Sequence, residues 1–466
     1  MAEQAEHGRE PATLVVGLGR SGLACARHLL ARGEPFAVAD SRPQPPGLAA
    51  LRRLAPGVPV HLGPFDPARF ARARRLLLSP GVAPEEPAVA AARAAGAEIL
   101  GEVALFAREA RAPVAAVTGT NGKSTVTALL GAMAREAGVA ARVGGNLGTP
   151  ALELLPGLEA PPETPPEAYV LELSSFQLET LPEPLGARAA VVLNLSPDHL
   201  DRHRDLEAYG ALKGRIYRGA ETAVLNLDDP RAAALARAAA PAPARCLPYT
   251  LGRPPAGGYG LLARGGEPWL ARGERTLLPL AALRLAGRHQ AANALAALAL
   301  AEAMGWPREG ALEALRRFPG LPHRMQWVAE AGGVAWYDDS KATNLGATLA
   351  ALEGLPGPVV LIAGGLAKGQ DFAPLRRVAG RLRAAVLLGR DAPLLERALA
   401  GAATVRRAAD MEEAVALAAG LARPGDRVLL SPACASFDLF QGFEHRGRAF
   451  QEAVRRRLGL GEGAGR

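Results

Sequence analysis

Short runs of aliphatic and β-branched residues alternate along this chain with longer stretches whose apolar positions recur at helical spacing. That alternation is the pattern of α/β units with mostly parallel, buried strands. It starts afresh three times. The first block opens with the strand TLVVGLG, runs through a helix from Ser21 and a second strand ending at Asp40, and closes near Gly101. The second opens with PVAAVTG, has a helix after Lys123, and adds strands at YVLEL, AAVVLNL and TAVLNLDD. A Pro-, Ala- and Gly-rich stretch from about Pro241 to Gly273 reads as a loop or a small β excursion, and an Ala/Leu helix runs from about Gln290 to Met304. The third follows FPGLPHR, with strands at WYDDS, PVVLIAGG, AAVLLG and RVLLSP. Pro/Gly punctuation at 319–322 supports the second boundary. The expected division is three α/β domains, 1–101, 102–320 and 321–466.

Composition narrows the function classes. Hydrophobic content of 49% and charged content of 21% in 466 residues fit a globular enzyme of several domains. The net charge of +8 raises nucleic acid, anionic membranes and anionic small molecules as partners. The arginines are scattered and aromatics are only 5%, so nucleic acid is set aside. Cys25, Cys246 and Cys434 are far apart and odd in number, which argues against a disulfide framework and for a cytoplasmic protein. The opening residues are polar, and no apolar run reaches the roughly 18–20 residues of a membrane span.

One feature of composition carries chemistry. Among 54 Lys+Arg, lysine occurs only at Lys123, Lys213, Lys341 and Lys368. Their settings are TGTNGKST, YGALKGRIY, DDSKATN and GGLAKGQDF. Arginine is a planar fork that stays charged, whereas lysine is a compact charge that can lose its proton and react. Residues Thr118 to Thr125 lie between a strand and a helix, where successive backbone N–H groups can cradle phosphates. Lys123 would reach the β- and γ-phosphates, and Ser124 or Thr125 could hold Mg²⁺. The generic phosphate-loop pattern asks for glycine at 117, where Val117 stands. Glu172 and His199, each placed at a strand end, offer a carboxylate and an imidazole for a divalent cation; spacing does not separate His199 from Asp198 or Asp201. Gly17-Leu18-Gly19-Arg20-Ser21-Gly22, with Asp40 downstream, is G-x-G-x-x-G, which taken alone reads as a dinucleotide loop. No hydride-transfer site follows it. A nicotinamide dehydrogenase and a nucleotide-dependent switch protein are the competing readings.

Taken together, TGTNGKST, ELSSFQLE, NLSPDHLDRH and ALKGRIY resemble the Mur ligase family of ATP-dependent amide-forming enzymes, including the missing first glycine of the phosphate loop. The resemblance spans essentially the whole chain. It implies a Rossmann-like first domain that binds a UDP-linked substrate, a central P-loop ATPase-like domain, and a Rossmann-like third domain for an acceptor amino acid. It implies ATP and Mg²⁺, in two sites, as cofactors, and a CO₂-derived carbamate on Lys213. Ser124, Glu172, His199 and the carbamate would then be metal ligands, with Lys123, His199, Lys213 and Glu172 as catalytic residues. ATP would meet Gly119, Thr120, Asn121, Gly122, Lys123, Ser124, Thr125, Asn293, Arg324 and Asp339, with Lys341 at its phosphate end. The UDP substrate would meet Gly19, Arg20, Ser21, Asp40, Ser41, Arg42, Ser79, Gly81 and Asn146.

The third block resembles the members that add D-glutamate, through DDSKATN, Gly364-Gly365 with Lys368, and SPACASFD. The D-N-P-R motif of diaminopimelate-adding relatives is absent. Thr343, Lys368, Ser436, Phe437 and Phe443 match D-glutamate contacts. Gln290, where many relatives have Asn, is a departure on the adenine side. A competing enzyme reading is another family member or folylpolyglutamate synthase, which would differ only in acceptor. The implied partners are UDP-N-acetylmuramoyl-L-alanine, D-glutamate and ATP, acting on a monomer.

Overall fold

A computed structural model describes residues 11–157, 164–198, 202–283 and 287–460. Three sheets are built in chain order, each mostly from parallel strands with crossover helices. The first holds β1 (Thr13–Val16), β2 (Phe36–Asp40), β3 (Val60–Leu62), β4 (Arg75–Leu78) and β5 (Glu98–Leu100) in the order β3-β2-β1-β4-β5. All its pairings are parallel. β1, β2 and most of β4 are buried apolar runs rather than alternating ones, as helices on both faces require.

The second sheet is larger. β6 (Val114–Thr118), β7 (Ala141–Gly145), β8 (Ala168–Glu172), β9 (Ala189–Val192), β10 (Thr222–Asn226), β11 (Arg245–Tyr249), β12 (Tyr259–Arg264), β13 (Glu267–Arg272) and β14 (Arg275–Pro279) run β14-β13-β12-β11-β10-β9-β6-β8-β7. The Pro/Gly-rich stretch is thus the β excursion. It extends the sheet through β12–β14, which pair antiparallel across short turns. Glu302, on helix Arg288–Met304, anchors this arm. Its carboxylate accepts from Arg272 Nε and Nη2, both at 2.8 Å, and from Tyr259 Oη at 2.8 Å. Helix Arg288–Met304 is buried along most of its length against the phosphate-loop helix Lys123–Glu136.

The third sheet comprises β15 (Gln326–Ala331), β16 (Val334–Asp338), β17 (Val359–Ala363), β18 (Leu382–Leu387), β19 (Val405–Arg407) and β20 (Arg427–Leu430), ordered β15-β16-β20-β17-β18-β19. Only β15 is antiparallel to its neighbour. In open parallel sheets, ligands bind outside the carboxyl ends of strands where the strand order reverses. In this chain those points are β1/β4, β6 with its neighbours β8 and β9, and β20 between β16 and β17.

β9 stops at Val192 and does not carry on along the sheet. Asn194 turns the chain off the sheet instead: its Oδ1 accepts from Asn121 N–H at 2.8 Å, and its carbonyl accepts from Thr120 N–H at 2.9 Å. The segment wraps the phosphate loop rather than prolonging the strand. His199 itself, with Asp201, lies outside the described residues.

Candidate active site

The first cavity, about 450 Å³, opens at β1/β4. Gly19, Arg20, Ser21, Asp40, Ser41, Arg42, Ser79, Gly81 and Asn146 all line it. Gly17 sits at φ +87°, and a Cβ there would lie 2.8 Å from Ser79 Cβ. Ser79 Oγ donates to the Gly17 carbonyl at 2.9 Å and closes the loop. A Cβ on Gly19, by contrast, would meet nothing within 4 Å. The Asp40 carboxylate is fully engaged: Oδ2 accepts from Leu18 N–H at 2.6 Å and Arg42 Nη2 at 2.7 Å, and Oδ1 from Arg42 Nε at 2.9 Å. Burial alone would raise its pKa, but the Arg42 and Leu18 hydrogen bonds outweigh burial and hold it at about 2. A carboxylate so committed to its own loop is a poor free acceptor for the ribose hydroxyls of a dinucleotide.

The second cavity, about 310 Å³, lies between the second and third sheets. Asn121, Gly122, Thr125, Asn293, Arg324, Asp339 and Lys341 line it, with Gln290, His289 and Asn226. Asn293 Nδ2 donates to Gln290 Oε1 at 3.0 Å, so the residue that departs from many relatives is fixed against the expected adenine contact. Asp339 is buried; Ser431 Oγ donates to its Oδ2 at 3.0 Å and Met325 N–H to its Oδ1 at 3.2 Å. Burial raises its carboxyl to about 7 despite these bonds.

The third cavity, about 270 Å³, adjoins the phosphate loop and gathers most of the expected catalytic residues. Three of the four lysines line it: Lys123, Lys213 and Lys341. Lys123 Nζ folds back to the carbonyls of Gly119 at 2.9 Å and Thr120 at 2.8 Å. Lys213 is 1% exposed; its Nζ donates to Gly119 O at 2.9 Å and sits 4.5 Å from the Tyr209 ring centroid. Burial first, and then the neighbouring Lys123 charge, push the Lys213 pKa well down. Burial likewise lowers Lys341 to about 8, and its Nζ lies 3.9 Å over the Phe443 ring. Glu172 closes β8. Its Oε1 accepts from Asn146 Nδ2 at 2.6 Å, while Oε2 is buried without a hydrogen-bond partner among the described residues. An orphaned carboxylate oxygen beside hydroxyls and amines is a donor that suits a cation. Among the described residues no group of three His, Cys, Asp or Glu could hold a metal ion by itself.

The third domain reaches this cavity directly. Arg324 Nη2 donates to Ser124 Oγ at 2.6 Å, and Asn344 Nδ2 donates to Asn121 Oδ1 at 3.2 Å and Asp198 Oδ2 at 3.1 Å. The fourth lysine, Lys368, stands 3.8 Å from Asp198 Oδ1 with a left-handed backbone, φ +52°. Thr343 lines the cavity. Ser436 is buried in its own loop, whereas Phe437 is 72% exposed and lines none of the three cavities. Phe443 is held through its carbonyl by Ser340 Oγ at 2.8 Å.

Several participants escaped sequence reasoning. Asn344 closes the DDSKATN motif and Gln177 lies inside ELSSFQLE, so both had a signal. Arg446 had none: its fully buried guanidinium donates to Ser340 Oγ, Ser340 O and Cys434 O at 2.8–3.1 Å and ties the two acceptor loops together.

Comparison with known proteins gives a consistent likeness. Family models match at residues 11–101 (Mur ligase MurD-like, N-terminal domain), 117–301 (Mur ligase middle domain) and 323–434 (Mur ligase, glutamate ligase domain). The chain is 55% identical over 447 residues to the UDP-N-acetylmuramoylalanine--D-glutamate ligase of Nitrosococcus oceani, covering 95% of this chain and 96% of that one. It is 51% identical to the enzyme of the same name from Pseudomonas aeruginosa, over 95% and 97%. Among solved structures, the UDP-N-acetylmuramate-alanine ligase MurC of Thermotoga maritima aligns at TM-score 0.58 and 19% identity over 96% of this chain and 99% of that one. The Thermotoga maritima MurF ligase in complex with ADP aligns at 0.59 and 16%, over 96% of each. These structural likenesses speak for the fold.

Proposed function

The chain belongs to the Mur ligase family, and from that premise we propose how its three cavities divide the work of one reaction. It is an ATP-dependent ligase that joins D-glutamate to UDP-N-acetylmuramoyl-L-alanine in peptidoglycan synthesis. In this reading the first cavity takes the UDP-linked substrate, the second takes the nucleoside of ATP, and the third is where the reacting groups meet. The observation that carries it is the lysine placement. In a chain that otherwise uses arginine, Lys123, Lys213 and Lys341 line one cavity and Lys368 stands beside it.

A carboxylate is a poor acyl donor because oxide does not leave. Transfer of the γ-phosphoryl group to the alanyl carboxylate breaks the β–γ phosphoanhydride bond, releases ADP and gives an acyl phosphate. The D-glutamate amine then attacks the acyl carbon, the C–O bond to phosphate breaks, and the amine proton passes to a base. The departing phosphate can take that proton, and His199, from its place in the NLSPDHLDRH motif, would stand near the amine as a cation ligand. Catalysis of this kind is mostly positioning and charge neutralisation. The phosphate-loop amides and Lys123 receive the β- and γ-phosphates. Lys341 neutralises charge at the phosphate end. Lys368 and Thr343 receive the acceptor's carboxylates, with Ser436 and Phe443 completing the pocket and Phe437 entering only if its loop folds inward.

Bound Mg²⁺ would shield the repulsion between the γ-phosphate and the incoming carboxylate. Glu172 Oε2, Ser124 Oγ and His199 are the side chains that would hold it. Lys213 joins them as a carbamate: its neutral amine attacks CO₂ and loses a proton, which turns a buried neutral group into an anion. Burial favours the neutral amine that this step needs, and the resulting anion would face Lys123 rather than repel it. Among the described residues no helix is long and apolar enough to cross a membrane; the proposed use of ATP and a UDP-linked precursor supports a cytoplasmic setting.

The test is phosphate release from ATP with Mg²⁺ and UDP-N-acetylmuramoyl-L-alanine, offering one amino acid at a time. Release that requires D-glutamate is the expected result. Release with diaminopimelate or L-alanine instead, or release indifferent to the amino acid, would refute it.

A further inference from the structure

Glu102 is a buried carboxylate that the reaction does not use. It is 3% exposed and opens the helix Glu102–Glu109, immediately after β5 and Gly101, where the chain leaves the first sheet for the second. Its Oε1 accepts from Leu152 N–H at 2.6 Å, across 50 residues of sequence. Its Oε2 is buried with no hydrogen-bond partner among the described residues. Leu152 lies in the one-turn 3₁₀ helix Ala151–Leu154, whose first amides have no partner within the turn. Leaving a carboxylate oxygen buried and unpaired is costly. Burial pushes this carboxyl up to about 7, with Glu153 adding to the effect, so the neutral form that relieves the cost is accessible. Cys25, from the helix Arg20–Ala31, is the other titratable group facing it.

What Glu102 holds is the far end of a loop. Residues 144–150 lead into the 3₁₀ helix, and Gly145, Asn146, Gly148 and Pro150 line the first cavity. The near end is fastened to Glu172: Asn146 N–H donates to its carbonyl at 2.8 Å and Asn146 Nδ2 to its Oε1 at 2.6 Å. A Cβ on Gly145 would collide with that same carbonyl. Arg20 Nη1 donates to Gly148 O at 3.1 Å, so the glycine loop of the first domain rests on it. Gly101 N–H, beside Glu102, donates to Thr180 O at 2.8 Å, just past the helix Ser175–Glu179 whose Gln177 also lines the cavity. The loop is thus strung between two carboxylates, Glu172 at the reacting end and Glu102 at the domain junction.

We propose that Glu102 is a positioning residue for the UDP-linked substrate: by accepting from the Leu152 amide, it fixes the 144–150 loop that presents Asn146 to the first cavity. The proposal rests on the assignment of that cavity to the UDP-linked substrate. Its test is calorimetric binding of UDP-N-acetylmuramoyl-L-alanine, with steady-state kinetics, on Glu102→Ala, Glu102→Asp and Glu102→Gln. Ala removes the acceptor and Asp withdraws it by one methylene. Both should weaken binding and raise KM for the UDP-linked substrate about tenfold, the loss expected for one hydrogen bond to a charged group. kcat and the KM values for ATP and D-glutamate should stay within about twofold. Gln keeps an acceptor oxygen and should restore KM to within about twofold of the parent. Unchanged KM in Ala and Asp, or a uniform fall in every kinetic constant, overturns the proposal. If the Ala variant does not fold, the Asp and Gln pair carries the same comparison. A parent enzyme that fails to bind the UDP-linked substrate would instead overturn the assignment of the cavity.

Discussion

Replacing Lys213 by Arg puts a permanent cation where an anion is proposed and removes an amine that can take up CO₂. Lys213→Arg is expected to lower phosphate release about a hundredfold or more, the scale of losing a preorganised electrostatic group. Lys213→Ala should be equally inactive and partly rescued by acetate or high bicarbonate. Full activity in the Arg variant would rule out the carbamate. Asp40 gives a pH prediction. Its folded pKa of about 2 lies below the unfolded value of 3.8, so its stabilisation is present above about pH 4 and is lost as pH falls toward 2. Arg42→Ala removes the main opposing partner. It should cost about 1 kcal/mol near neutrality, less than the full shift because Arg42 is half exposed and screened. It should also move acid unfolding, followed by circular dichroism, to higher pH. An unmoved acid midpoint would mean that the backbone amides of Leu18 and residue 42 hold the carboxylate without the guanidinium.

The element that most clearly joins sequence to function is the turn after β1. Its first and second glycines do different jobs, and a pair of variants separates them. Gly17→Ala puts a Cβ 2.8 Å from Ser79 at positive φ and should lower stability by about 1–2 kcal/mol, read from denaturant midpoints. Gly19→Ala meets no protein atom within 4 Å. It should leave stability unchanged and raise KM for the UDP-linked substrate by intruding on the ligand's space. Equal stability losses at both positions would show that the loop is packed all round and that the open side of Gly19 is not a ligand face.

At the scale of the whole molecule, the reacting cavity exists only because the third domain sits against the second. Arg324 to Ser124, and Asn344 to Asn121 and Asp198, are hydrogen bonds that span the gap. Arg324→Ala should reduce kcat about tenfold, consistent with losing a charged hydrogen bond, and should expand the free enzyme in small-angle scattering. An unchanged radius of gyration would mean that Arg324 is not needed to hold the two domains together. Lys368→Ala should raise KM for D-glutamate more than KM for ATP; equal effects would place the acceptor elsewhere.

How much of this was legible in the sequence follows from the range of the forces involved. The alternation of strands and helices, the glycine turn after β1, the phosphate loop after β6 and the helix carrying Lys213 all depend on periodicity and φ/ψ needs within a few residues. The linear text sets these out, and the lysine census pointed to residues that the fold gathers in and beside one cavity. Their meetings span 94 residues for Lys213 and Gly119, and 223 for Asn344 and Asn121. No local pattern encodes such distances. Only the packing of one sheet against another decided that Asp40 is consumed by its own loop, that Phe437 faces solvent, that Arg446 lies buried between two loops, and that Glu102 reaches the Leu152 amide. By itself the sequence determined which elements form and what chemistry their ends carry. The tertiary structure decided which of those ends face each other, because side-chain contacts depend on how buried surfaces dock and not on neighbours along the chain.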